Sequence, residues 1–245
     1  MSNFSNPLLI LKTGSTTSEL RAQLGGDFED WMTEALGVDP ALVQTIDVSQ
    51  GESLPDLGDL LGSISGILIT GSHAMVTERQ PWSEQTAQWL RSAVEKPLPI
   101  LGICYGHQLL AYALGGTVDY IPDGREVGTI AVTLQEEAQD DPLLHGFGSQ
   151  ISVQLSHRQA VMTLPPDAVW LAQGDRVPYQ AFRWGDSVWG MQFHPEFTAA
   201  MTQAYTDYAQ EGLRQEGFDP EAIAQAIEET PIGFEIMQRF ASLVF

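Results

Sequence analysis

Leu98-Pro99-Ile100-Leu101-Gly102-Ile103-Cys104-Tyr105-Gly106-His107-Gln108 is the stretch on which the fold turns. Its first part is short and apolar, as a buried parallel strand is, and from Tyr105 to Leu114 the sequence reads as a helix. Gly102 and Gly106 bracket Cys104, the one cysteine among 245 residues. Glycine, any residue, nucleophile, any residue, glycine is the spacing of a nucleophile elbow, where small flanking residues permit a sharp strand-to-helix turn. A thiol at that turn faces the helix N-terminus, whose unpaired N–H groups and partial positive charge favour the thiolate.

Outward from the elbow, strands alternate with helices. Leu8 to Leu11 reads as a first buried strand. Asp27 reads as the cap of a helix carrying Phe28, Trp31, Met32 and Ala35 on one face. Leu42 to Val48 and Ile64 to Thr70 are further strands, the latter entering the Gly71-Ser72-His73 turn. Trp82 to Val94 is a helix. This alternation predicts parallel pairing with right-handed crossovers. The middle of the chain changes character. Gly116 to Tyr120, Val127 to Leu134, Ile151 to Leu155, Val169 to Ala172, Ala181 to Trp184 and Val188 to Phe193 are strand-like with few helices between them. They predict an antiparallel extension of the same sheet. Thr198 to Gln215, Pro220 to Glu228 and Phe234 to Leu243 are helical again. The expectation is an α/β fold with a mostly parallel central sheet flanked by helices. A single domain over 1–245 is expected, with a helical C-terminal tail over about 198–245.

Bulk properties set limits. Hydrophobic residues make up 43% and charged residues 18%, enough apolar material for a sizeable core. The net charge of -21 and isoelectric point near 4.3 argue against nucleic acid as a partner. No apolar run approaches the roughly 20 residues of a membrane helix, so no membrane association is expected. Met1 to Leu11 has no basic segment ahead of its apolar run, which speaks against a secretory signal. With a lone cysteine, a reducing cytoplasmic setting is expected. The five histidines show no metal-ligand spacing, so neither metal nor cofactor is expected.

A thiolate nucleophile needs a base and a group to orient that base. Gly190-Met191-Gln192-Phe193-His194-Pro195-Glu196 offers both. Pro195 biases His194 toward extended backbone, and in an extended segment residues i and i+2 point to one side. His194 and Glu196 would then project together, the carboxylate holding the imidazole in one tautomer. Open α/β sheets place their sites at the carboxyl ends of strands, where both stretches end.

With these residues in view, the chain resembles the class I (triad) glutamine amidotransferases. Four elements carry the resemblance in order: Ile69-Thr70-Gly71-Ser72-His73, Gly102 to Gln108, Leu155-Ser156-His157-Arg158-Gln159-Ala160-Val161, and Phe193-His194-Pro195-Glu196. The resemblance implies a flavodoxin-like fold and a glutaminase mechanism. Cys104 would attack the side-chain amide of glutamine, His194 would protonate the departing ammonia and then activate water, and Glu196 would orient His194. Backbone N–H groups of Ser72 and Tyr105 would hold the oxyanion, and a glutamyl thioester would be hydrolysed. Gly71, Gln108, Ser156 and His157 would line the substrate pocket. For His157 the residues alone leave pocket wall and structural hydrogen bonding both open. His107 reads as packing and His145 as surface. Gly124-Arg125-Glu126-Val127-Gly128 reads equally as a substrate contact or a turn into a strand.

The oxyanion turn departs from the double glycine and proline common in the family, and Ser72 fits only if its backbone φ is not positive. The resemblance is strongest to the amidotransferase domain of GMP synthases, yet no phosphate-binding loop is present and too few residues follow Glu196 for a synthetase domain. The expectation is a free-standing unit that supplies ammonia to a separate synthetase partner. The alternative is a free-standing hydrolase using the same triad on γ-glutamyl amides or peptides. A catalytically silent binding protein would not need the complete triad.

Overall fold

Leu8–Lys12 (β1), buried at every position, is the apolar run expected at the start of a parallel sheet. The computed structural model describes residues 6–122 and 124–245. After β1 come α1 (Ser18–Leu24), α2 (Phe28–Leu36), β2 (Val43–Asp47), the single turn α3 (Leu60–Ser63), β3 (Gly66–Ile69), α4 (Pro81–Ala93), β4 (Ile100–Ile103) and α5 (Tyr105–Ala113). Then follow β5 (Thr117–Tyr120), β6 (Glu126–Leu134), β7 (Gln150–His157), β8 (Gln159–Thr163), β9 (Val169–Gln173), β10 (Ala181–Trp184) and β11 (Val188–Met191). The chain closes with α6 (Ala199–Gln215), α7 (Pro220–Gln225) and α8 (Pro231–Val244).

Among the described residues the main sheet has the order β2-β1-β3-β4-β11-β10-β9-β6-β7. From β2 to β11 every pairing is parallel; from β11 to β7 every pairing is antiparallel. The α/β class and the antiparallel extension are therefore as the sequence predicts. One strand departs from that expectation. Residues 117–120 leave the main sheet and pair with 159–163 in a separate two-stranded ribbon. The partner, β8, was not separable by pattern from the Ser156-His157 segment just before it, because Arg158 alone interrupts the two strands.

Helix boundaries have visible causes. The Asp27 carboxylate accepts the N–H of Phe28, and the Asp30 side chain returns to the Asp27 N–H at 2.9 Å, a reciprocal cap at the start of α2. Gly37, in the left-handed conformation, ends that helix. α1, ahead of this cap, was not expected: it is seven residues with only Leu20 buried, too short to show an apolar period. The core lies on both faces of the sheet. One cluster joins Ile10, Leu101, Ile103, Met191 and Phe193 to Ile236, Met237 and Phe240 of α8. The other joins Leu9, Ile67, Ile69 and Ile100 to α4 and α5 through Leu90, Leu109 and Leu110. The expected tail is thus part of the core.

Parallel order puts the carboxyl ends of β1, β3, β4 and β11 side by side. Thr13, Gly71, Cys104 and the turn carrying His194 follow those ends directly.

Candidate active site

Cys104 occupies the corner between β4 and α5 with φ 51° and ψ -99°, a conformation that costs a non-glycine residue on the order of 1–3 kcal/mol. The surroundings hold it there. A Cβ on Gly102 would lie 2.5 Å from the Gly106 carbonyl oxygen, and one on Gly106 would lie 2.5 Å from the Ile69 carbonyl oxygen. Both glycines are therefore required by backbone contact, the physical content of the elbow spacing. The Cys104 N–H donates to the Met191 carbonyl at 2.8 Å, tying the elbow to the end of β11. Tyr105, first residue of α5, has no helical acceptor for its N–H. Its hydroxyl bonds Ser83 of α4 at 2.7 Å, and burial pushes its pKa up to about 12.

The His194 ring reaches Glu196 by Nδ1···Oε1 at 2.8 Å, and both side chains are almost wholly buried. The extended backbone expected at this segment ends earlier, at Met191. Residues 192–197 form bends and a turn, with the Phe197 N–H on the His194 carbonyl at 3.3 Å. Histidine and carboxylate meet because of the turn around Pro195, and not by strand alternation. The His194 N–H is fixed to the Gln154 carbonyl of β7 at 2.8 Å. Its ring stacks on Phe197 at 4.1 Å and on Phe28 at 6.4 Å, with 19° between planes in both cases. Phe28 is in place because Asp27 caps α2 and is itself held by Lys12 at 3.0 Å and the Thr16 N–H at 2.9 Å.

Burial opposes charge on this imidazole, but the Glu196 carboxylate and Cys104 together outweigh it and lift its pKa to about 10. The second oxygen of Glu196 is buried with no hydrogen-bond partner. The buried carboxylate is thus held by His194 through its other oxygen. The raised pKa favours the charged ring, the form that can donate a proton.

The Gly71-Ser72-His73 turn closes the other side. Gly71 is there for proximity: a Cβ would come within 3.0 Å of His194 Cε1 and 3.8 Å of Cys104 Cβ. Ser72 is absent from the residues with positive φ, so the serine is tolerated. Its hydroxyl donates to the Thr13 carbonyl at 2.8 Å and accepts the Ala74 N–H at 3.1 Å, bracing the turn.

Cys104, Tyr105, Ser72, Gln108, Ser156, His157 and His194 line one cavity of about 450 Å³. Two of them are less free than expected. The Gln108 amide nitrogen donates to the Gln159 carbonyl at 2.6 Å and to Gln192 at 3.0 Å. His157 has one ring nitrogen on the Gln159 carbonyl at 2.9 Å and the other on Glu126 at 3.0 Å. Of the two readings left open for His157, its contacts are those of a structural hydrogen-bonding residue whose ring forms pocket wall. His107 is fully buried against Phe182, and burial pulls its pKa down to about 3, so it is a neutral packing residue as expected.

The sequence did not disclose the opposite wall. Tyr205, Tyr208, Ala209 and Gly212 of α6 line the cavity together with Arg125 and Arg158. The Tyr205 hydroxyl bonds Thr16 at 2.7 Å, and its ring stacks on His73 at 5.9 Å. Glu216, just past α6, takes Arg125 at 2.8 and 2.6 Å and Arg158 at 2.6 Å. These hydrogen bonds hold the Glu216 carboxyl well below the usual range, near 2. Among the described residues, no cluster of three metal-ligating side chains is found, and no helix is long and apolar enough to cross a membrane.

Comparison with known proteins gives a consistent family. A family model described as glutamine amidotransferase class-I matches residues 30–209. A GMP synthase (glutamine-hydrolysing) of Porphyromonas gingivalis is 33% identical over 190 residues, covering 77% of this chain and 33% of its own length. The chain thus spans about a third of the GMP synthase it matches. The glutamine amidotransferase-like protein YfeJ of Salmonella typhimurium is 31% identical over 170 residues, 68% of this chain and 70% of its own. A glutamine amidotransferase structure from Thermotoga maritima superposes with a TM-score of 0.75 at 20% identity, covering 98% of this chain and 99% of that one. At that identity the likeness speaks for the fold.

Proposed function

The chain belongs to the class-I glutamine amidotransferases, whose members hydrolyse the glutamine amide, and on that premise we propose that Cys104, His194 and Glu196 are its catalytic triad. The observation that carries this reading is the buried His194–Glu196 pair at 2.8 Å beside a cysteine held at positive φ.

The Cys104 thiolate adds to the γ-carbonyl of glutamine, and the developing oxyanion is met by the Ser72 and Tyr105 N–H groups. His194, charged at rest, gives its proton to the departing ammonia. The ring, now neutral, takes a proton from water as water attacks the thioester, and glutamate leaves. Glu196 keeps Nδ1 engaged throughout, so that Nε2 serves the reaction. Gly71 and Ser156 complete the pocket around the substrate, with Gln108 and His157 as its braced walls.

The GMP synthase-like sequence supports a role in supplying ammonia to a separate acceptor enzyme, a synthetase docked as a second protein. In this reading residues 1–245 work as one amidotransferase-type domain in the cytoplasm, with α6 of its tail completing the pocket.

The test is glutamate release from glutamine by the purified chain, with and without a synthetase. Cys104→Ala is expected to lower turnover by at least about 10³-fold with unchanged circular dichroism; retained turnover would remove Cys104 as the nucleophile.

A further inference from the structure

The cavity extends beyond what the amide of glutamine needs, and its outer wall carries charge. Cys104, Gln108 and His194 are at its floor, each 5% exposed or less. Outward from them come Arg125, with its side chain 14% exposed, and Arg158, 52% exposed. Both guanidinium groups share the one carboxylate of Glu216. Two cations on one anion leave positive charge at the pocket mouth, in a chain with 11 basic and 32 acidic residues. Such a local reversal of sign gathers anionic ligands.

Arg125 is also built in. It leaves the chain just before β6, and a Cβ on Gly212 would lie 2.9 Å from its Nη2, so the guanidinium rests on the bare backbone of α6. Glycine inside a helix costs stability relative to alanine, and here it opens the place where the arginine rests. Glu216 holds the guanidinium edge from Nε and Nη2, which fixes its plane. An arginine has five N–H donors in a rigid fork, and this clamp uses two of them.

We propose that Arg125, aided by Arg158, forms a carboxylate subsite for the amine half of the substrate, so that the site cleaves γ-glutamyl amino acids as well as glutamine. The proposal rests on the triad reading. The chemistry is the same and balances. The Cys104 thiolate bonds to the γ-carbonyl carbon, the C–N bond breaks, and the amino acid departs as the amine with the proton of His194. Water then cleaves the thioester, giving its proton to His194, releasing glutamate and restoring the thiolate and the charged ring. What differs is the leaving group, whose carboxylate lies against the arginine fork while ammonia has nothing to place there.

The probes are γ-glutamylglycine and γ-glutamylmethylamide, alike except for the carboxylate on the amine side, with glutamine alongside. Glutamate release is followed as kcat/KM. The chain is expected to prefer γ-glutamylglycine by about 10- to 100-fold, the range of a charge-assisted hydrogen bond. Arg125→Gln is expected to bring that preference to near one. Gly212→Ala, which keeps every charge and favours the helix, is expected to reduce it as well by displacing the guanidinium. A wild-type preference near one overturns the subsite. So does an equal loss on all three substrates in Arg125→Gln, which would place the arginine on the glutamyl α-carboxylate. To separate these outcomes from failure of the triad, binding of both probes to Cys104→Ser is measured by calorimetry. The same preference is expected in Kd, and its absence there overturns the proposal whatever the turnover.

Discussion

Two walls of one pocket are made in different ways. On the wall carrying Cys104, Gly71 and His194, each turn is shaped by neighbours in sequence. A glycine two residues on either side sets the elbow, and the histidine meets its carboxylate two residues later across a proline turn. The wall carrying Arg125, Tyr205, Tyr208 and Gly212 is built by partners far apart: Arg125 meets Glu216 across 91 residues, and Tyr205 meets Thr16 across 189. In the proposed mechanism the first arrangement fixes atoms that must meet at a reaction coordinate. The second shapes what is admitted to them.

The largest effect should come from the local wall. Glu196→Gln is expected to lower kcat by about 10²–10⁴-fold, since the imidazole loses the group that fixes its tautomer. It should also move the alkaline limb of the pH profile. With Glu196 present, His194 remains charged until the pH rises through about 10. Without it, the larger of the two charges opposing burial is gone and only Cys104 still favours the charged ring, so the limb should fall. The raised pKa also favours folding: this contribution is full below pH 6.5 and is lost as pH climbs through about 10. An unshifted limb in the variant would mean that another group keeps the ring charged.

Next is the elbow itself. Gly106→Ala places a Cβ 2.5 Å from the Ile69 carbonyl oxygen, in the centre of the parallel sheet. A backbone oxygen in a strand has little room to yield, so denaturant unfolding should report a loss of about 3 kcal/mol, along with most of the activity.

A smaller effect should appear where the tail supports the local wall. Gly233 of α8 lies directly against the Pro195 backbone, and a Cβ there would collide with the Pro195 carbonyl oxygen. Gly233→Ala is expected to cost about 1–3 kcal/mol and to lower kcat through the displaced His194 turn. Unchanged kcat with lowered stability would show that the turn is rigid without α8.

The smallest expected change is Tyr205→Phe in the distant wall. It removes the hydroxyl bond to Thr16, about 1 kcal/mol, and should raise KM several-fold with little change in kcat. A kcat loss as large as that of Glu196→Gln would erase the distinction between the walls.

The same contrast explains what the chain disclosed before its structure was known. Gly102, Cys104, Gly106, His194 and Glu196 were legible because their constraints act within a few residues. The parallel order was legible from buried apolar runs such as Leu8–Lys12 and Ile100–Ile103, and α2 from its Asp27 cap. The Glu126–His157 and Gln108–Gln159 hydrogen bonds, which brace two of the expected pocket residues, depend on the pairing of β6 with β7 and on the approach of α5 to β8. Neither has a periodic signature. Arg125 stood in a turn segment with no sign of its Glu216 partner, and the guanidinium that rests on Gly212 lies too far along the chain to give that glycine a local signature.

The central claim is that Cys104 carries the glutamyl group. The most direct measurement is peptide mass spectrometry on the protein acid-quenched during turnover of isotopically labelled glutamine. The account predicts a labelled glutamyl adduct confined to the peptide containing Cys104. Steady glutamate release with no label on that peptide, or with label on another residue, would contradict it.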